Sequence, residues 1–174
     1  MRLTLADLRD RAGLQDCMNR YAQGVDQRQW PLYDSAFAPG AQVEVPGYMQ
    51  GTLGFVAFRG MLADTFDAAR LSGQHFLGNM HASIAGERAH AVTEFVATTV
   101  EVATSGSATR EVTAGLYVDD FERTDGVWRI VHHRIMRKSA DAATLPFAPP
   151  IADAVRFTLT ADWAHALPLI PGHS

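Results

Sequence analysis

The chain has 174 residues, enough to bury one sizeable core. Its 15 Lys and Arg against 19 Asp and Glu leave a net charge of -4, which argues against a nucleic-acid or anionic-membrane partner. The single cysteine, Cys17, excludes an intrachain disulfide and sits in a helical pattern that suits a small buried hydrophobe better than a nucleophile. The N-terminus lacks an apolar signal core and no run is long enough to span a bilayer, so a cytoplasmic protein is expected.

Thr4 and Asp7 mark a helix start, with a hydroxyl for the free N–H groups and an acid for the dipole. Leu5, Leu8, Ala12, Met18, Tyr21, Ala22 and Val25 then recur at helical spacing, and Gly24 weakens the last turn. Trp30 to Phe37 reads as a second helix with Pro31 in its first turn. Ala41 to Val45 alternates as a strand, Tyr48 to Thr52 is a candidate partner, and Leu53 to Phe66 reads as a third helix.

From Gln74 the period changes to two. Strict alternation puts His75, Leu77, Asn79, His81 and Ser83 on one face. A turn at 85–88 leads to a strand over 89–104, with Val92, Val96, Val100 and Val102 sharing a face. A polar loop precedes a strand over 111–123. Thr124-Asp125-Gly126 is a hairpin turn, because Asp-Gly accepts positive φ, and a last strand covers 127–137. Helices followed by long antiparallel strands predict an α+β fold in residues 1–140. Residues 141–174, rich in proline, are expected to form a tail over the pocket or a subunit interface, with a weak helix over 151–166.

No glycine-rich phosphate loop, Cys-x-x-Cys or His-Glu-x-x-His is present, and no serine has a nucleophile-elbow context, so no metal is assigned. General acid–base chemistry remains. Histidine suits it because its ordinary pKa of about 6.5 lies near working pH. A carboxylate on one ring nitrogen would fix the tautomer and stabilise the imidazolium. His75 starts a strand whose face carries Asn79 and His81. Tyr21 and Asp26 place polar groups at the end of a core helix, although five helical residues set them about 140° apart.

Four stretches carry a family resemblance: residues 11–16 (RAGLQD), 24–29 (GVDQRQ), 74–79 (QHFLGN) and 120–130 (DFERTDGVWRI). In order and spacing they resemble the SnoaL-like branch of the nuclear transport factor 2-like superfamily over roughly residues 3–138. Within it the likeness is to hexachlorocyclohexane dehydrochlorinases, scytalone dehydratases and bile acid 7α-dehydratases. The resemblance implies a cone-shaped α+β barrel of curved sheet wrapped on helices, no cofactor, a trimeric assembly and elimination by a His–Asp pair. Asp26 falls on the family aspartate, His75 on the family histidine, and Tyr21 on a tyrosine of the bile acid enzymes.

The second histidine of scytalone dehydratases has no counterpart in residues 112–117. Several relatives place an arginine five residues after the hairpin tryptophan. Here that count from Trp128 reaches His133, and Arg134 follows. A one-residue shift turns a strand side chain to the other face, so either residue is the candidate.

The expectation is a lyase of dehydratase or dehydrohalogenase type acting on a small apolar or polycyclic molecule. His75 takes a proton from carbon and Asp26 holds it. Tyr21, with His133 or Arg134, assists the leaving group. Asn79, His81, Phe37, Val43, Met49, Phe95 and Tyr117 are the candidate pocket walls. A ketosteroid-type isomerase, a polyketide cyclase and a non-catalytic ligand-binding member of the fold are the alternatives.

Overall fold

A computed structural model describes residues 3–66, 70–102 and 106–145. The expected helix over 151–166 and residues 146–174 of the expected C-terminal tail lie outside these residues, while 141–145 belong to the last strand.

Helix α1 runs Leu5–Asp26. The Thr4 hydroxyl accepts from the Asp7 N–H at 3.1 Å, and the Asp7 carboxylate accepts from the Thr4 N–H at 2.7 Å, so two orphan donors are satisfied reciprocally. Leu14, Cys17, Met18, Tyr21, Ala22 and Val25 form its buried stripe. Leu5, Leu8 and Ala12, expected on that stripe, are exposed. The Cys17 thiol donates to the Ala36 carbonyl at 3.2 Å, and burial pushes its pKa up to about 12, far from a thiolate.

Gly24 permits the next packing step. A Cβ there would lie 2.5 Å from the Tyr33 nitrogen and 2.6 Å from its Cα, so helix α2 (Trp30–Ser35) rests directly on α1. Helix α2 stops before Phe37, two residues earlier than expected. The Ile130 N–H donates to the Ala36 carbonyl at 2.8 Å, and Phe37 is already the first residue of strand β1 (Phe37–Glu44). A short strand β2 (Thr52–Gly54), helix α3 (Phe55–Met61) and a π-helical turn over Leu62–Phe66 follow.

Four long strands complete the fold: β3 (Arg70–Ala85), β4 (Arg88–Val102), β5 (Ala108–Thr124) and β6 (Val127–Leu145). The sheet order is β2-β1-β6-β5-β4-β3, antiparallel throughout except for β1 with β6. This is the α+β architecture expected, helices against one face of a curved sheet. The β5–β6 turn has Asp125 at φ 55° and Gly126 at φ 75°, the two positive values a type I′ hairpin needs. Strand β6 runs to Leu145, eight residues past its expected end. It pairs with β5 over that length, whereas β1 pairs with it only as far as Arg134.

Two bulges decide what faces the core. In β3 the pairing shifts between Leu77 and Met80. His75 and Leu77 point inward, and after the extra residue Met80, Ala82 and Ile84 do so. In β6 the shift lies opposite Asp120/Phe121, so Trp128 and Ile130 are followed on the inner face by His133. On β4 the inner face carries Ala89, Ala91, Thr93, Phe95 and Ala97, and Val92 and Val96 face outward. The outer face keeps apolar groups, with Phe76 at 71% and Val96 at 42% exposure.

Candidate active site

The last turn of α1 and the start of β3 meet at Asp26. Its Oδ2 accepts from the His75 backbone N–H at 2.6 Å, and its Oδ1 lies 2.6 Å from His75 Nδ1. Both carboxylate oxygens are therefore taken by one residue. An ionised carboxylate can only accept, so Nδ1 carries the proton and Nε2 is left as the basic nitrogen. Glycine at position 73 keeps this corner open, since a Cβ there would lie 2.9 Å from Arg70 Nη1 and 3.5 Å from Asp26 Oδ1. Arg70 Nη2 donates to the Val25 carbonyl at 2.7 Å and so caps the end of α1. Arg28 donates in turn to the Arg70 carbonyl.

His75 opens on a cavity of about 260 Å³ between α1, α3 and the inner sheet face. Tyr21 and Val25 line it, one helical turn apart, while Asp26 sits behind His75. The helical angle between Tyr21 and Asp26 is thus no obstacle: the phenol reaches the cavity directly and the carboxylate reaches it through the imidazole. Depressions of about 370, 580 and 780 Å³ elsewhere are larger, but none of these is lined by Tyr21 or His75.

Of the expected walls, Met49, Phe95 and Tyr117 line the cavity, with Phe95 and Tyr117 stacked at 4.1 Å. Phe37 and Val43 do not. Both are core residues, and Phe37 stacks on Phe55 at 4.1 Å. Asn79 and His81 are also corrected. The β3 bulge turns them to the outer face, where both are exposed, so they share no surface with His75 and His75/His81 cannot form a metal pair. Among the described residues no cluster of three His, Cys, Asp or Glu side chains could hold a metal.

Between His133 and Arg134 the structure selects His133 for the interior. Arg134 points outward and holds Asp120 through two contacts of 3.2 Å. Burial pushes the Asp120 carboxyl up, but the His90 hydrogen bond and the Arg134 charge outweigh it and hold the group below the usual carboxylate range.

His133 does not line the cavity. It lies beneath it, 4.8 Å between ring centroids from both Tyr21 and Tyr117. Its Nδ1 is 2.5 Å from Asp119 Oδ1, and both residues have no exposed surface. Burial raises the Asp119 pKa, and the neighbouring His133 offsets part of that rise. The sequence reading missed Asp119 and Arg70. Asp119 had one available signal: its alternation with Tyr117 and Phe121 puts a carboxylate on an apolar strand face.

The model of the SnoaL-like domain family matches residues 6–134. A type 2 hexachlorocyclohexane dehydrochlorinase (LinA) has a similar structure, at TM-score 0.70 and 22% identity, covering 83% of this chain and 97% of that one. The type 3 LinA of Novosphingobium barchaimii LL02 gives 0.66 and 22%, covering 82% and 97%. A provisionally assigned scytalone dehydratase from Novosphingobium aromaticivorans DSM 12444 gives 0.71 and 16%, covering 86% and 98%. At these identities the likeness is one of fold. A search of curated proteins gives no match.

Proposed function

The chain belongs to the SnoaL-like domain family, and from that premise we propose that it is a cofactor-independent lyase that eliminates water or halide from a small, largely apolar molecule. The observation that carries this reading is the Asp26–His75 contact at the wall of a largely apolar cavity.

His75 Nε2 takes a proton from carbon, and Asp26 stabilises the imidazolium that forms. The C–H electron pair becomes the new C=C bond as the bond from the neighbouring carbon to the leaving group breaks. A hydroxide leaving on the same face takes that proton from Nε2 and departs as water, which restores the base. A halide departs as the anion, and the imidazolium gives its proton to solvent. Burial pushes the Tyr21 and Tyr117 pKa values well above the ordinary phenol range. Tyr21 therefore acts as a hydrogen-bond donor to the leaving group or to a developing enolate, and it does not ionise.

The test is a screen of cyclic alcohols, hydroxy-ketones and cyclic halides followed by mass spectrometry. An enzyme-dependent product lighter by one water or one hydrogen halide is expected. A product of unchanged mass would instead establish an isomerase or cyclase, in which Asp26 or His75 shuttles a proton without expelling a group.

The exposed outer row of Phe76, Val96 and Met136 is the surface through which copies assemble, as a trimer. Sedimentation equilibrium is expected to return three times the chain mass. A monomer would remove the assembly.

A further inference from the structure

Among the described residues other than glycine, Arg28 and Asp125 have a positive φ, at 56° and 55°. The hairpin demands that conformation of Asp125, and aspartate tolerates it because its short side chain bonds locally. Arginine has no such help. Its Cβ crowds the following carbonyl oxygen, so a left-handed arginine lowers stability.

Position 28 is one where helices ordinarily take glycine. Helix α1 ends at Asp26, the Gln27 N–H donates back to the Gln23 carbonyl at 3.0 Å, and the Gln29 N–H closes the turn on the Gly24 carbonyl at 2.8 Å. What arginine adds there is reach. Its guanidinium donates to the Arg70 carbonyl, at the first residue of β3. The Arg70 guanidinium crosses the same gap the other way and donates at 2.7 Å to the carbonyl of Val25, the neighbour of Asp26.

The crossing bears on the Asp26–His75 pair in two ways. Asp26 is the last residue of α1, where unpaired carbonyls and the negative end of the dipole repel a carboxylate. The last turn of α1 has no basic residue of its own, so Arg28 and Arg70 bring cations to this end from outside the helix. The second effect is mechanical. The crossed arginines join the helix end to β3 at residue 70, and Asp26 joins it again five residues further on, at His75. A helix end fixed at one point can pivot, and one fixed at two cannot. Each pivot away from His75 would release Nδ1 and let the ring proton move to Nε2, the atom that must stay bare to act as a base.

We propose that Arg28 and Arg70 are positioning residues that lock the Asp26–His75 pair closed, and that arginine stands in the left-handed position because glycine, although more stable there, could not hold β3 to the helix end. Both act through Asp26 and neither touches the reacting atoms. This rests on the elimination reading for what the pair does, and it names what keeps the pair assembled.

The test compares Arg28→Gly with Arg28→Ala in the full-length protein without substrate. Both delete the strap, and only glycine relieves the backbone, so Arg28→Gly should melt about 4 °C above Arg28→Ala. The readout is the His75 Nδ1 proton, followed by NMR of the imidazole groups and identified by its loss in His75→Ala. In the unmodified protein it is expected on Nδ1 and slow to exchange with solvent. In both Arg28 variants, and in Arg70→Met, exchange should be about tenfold faster, the effect of losing one charged hydrogen bond that resists local opening. Equal acceleration in two variants of different melting temperature is a result that a general loss of structure would not produce.

Unchanged exchange in Arg28→Gly overturns the proposal and leaves Arg28 a turn residue. Exchange that merely follows the melting temperature overturns it too, as does an unmodified protein with no protected Nδ1 proton. No substrate is present, so the outcome is independent of elimination. A guarded proton in a protein that eliminates nothing refutes only the lyase reading. Elimination together with unchanged exchange in Arg28→Gly refutes only the strap.

Discussion

Asp26→Asn is expected to lower the elimination rate on the order of 10³-fold or more while the protein stays folded, by the logic of carboxylate-to-amide changes in His–Asp systems. The reason is tautomeric. Asp26 accepts at both oxygens, from the His75 backbone N–H and from Nδ1. Asparagine keeps one acceptor and turns an NH2 toward the other position. If the amide oxygen stays on the backbone N–H, the NH2 meets Nδ1 and the ring proton moves to Nε2, the atom that must be a base. His75→Ala removes that base and should cost at least as much. Because the two act as a unit, the double variant should be little worse than His75→Ala alone. Steady-state rates on a substrate from the elimination screen, with circular dichroism as the control for folding, decide the matter. Retained elimination in either single variant would leave the pair without a catalytic role.

Gly24→Ala is expected to destabilise the protein by about 3 kcal/mol, at the upper end of what overpacking usually costs. Helix propensity alone points the other way, since alanine is favoured over glycine inside a helix by about 1 kcal/mol. The deciding fact is the neighbour. A Cβ at position 24 would lie 2.5 Å from the Tyr33 nitrogen and 2.6 Å from its Cα, and a backbone cannot rotate aside as a long side chain can. Helix α2 would have to lift from α1, taking with it the Tyr33 ring that packs 5.4 Å from Tyr21. For a chain of this size the melting temperature should fall by about 10 °C. A thermal melt showing an unchanged or raised midpoint would mean that α2 moves at little cost.

The long elements were legible because their periods are strong. The apolar repeat of α1, the Asp-Gly turn and the alternation in β4 and β5 each follow from local chemistry. The Asp26–His75 pairing was legible through family likeness and not through pattern, since nothing in the spacing of residues 26 and 75 brings them together.

Parity was the weak instrument. Alternation assigned Asn79 and His81 to the face of His75, and one extra residue between Leu77 and Met80 reversed both. The same device in β6 put His133 inside, where even-residue counting from Trp128 would have placed Arg134. Composition also misled. Val92 and Val96 of β4 lie on the outer side while Val100 is buried, and alanine, threonine and Phe95 form the inner face, where Phe95, Ala97 and Thr99 line the cavity. Phe37 and Val43 were assigned to the pocket as apolar residues near it in sequence. They are buried in the core instead, and the segment reaches the cavity only from Val45 on.

The overhang of β6 has a consequence for the protein in solution. Beyond Arg134 the strand loses β1 as a neighbour, so among the described residues the stretch from Ile135 to Leu145 is paired on one side only. A ribbon of this length with open backbone donors and acceptors is a template on which another extended chain can add. Arg137, Lys138 and Asp141 interrupt it with charge, and Lys138 also holds Glu94 of β4 at 3.0 Å. These side chains stand to the open edge as guards against strand-by-strand growth. Their worth lies in keeping separate molecules apart, a property that neither the turnover number nor the melting temperature would record.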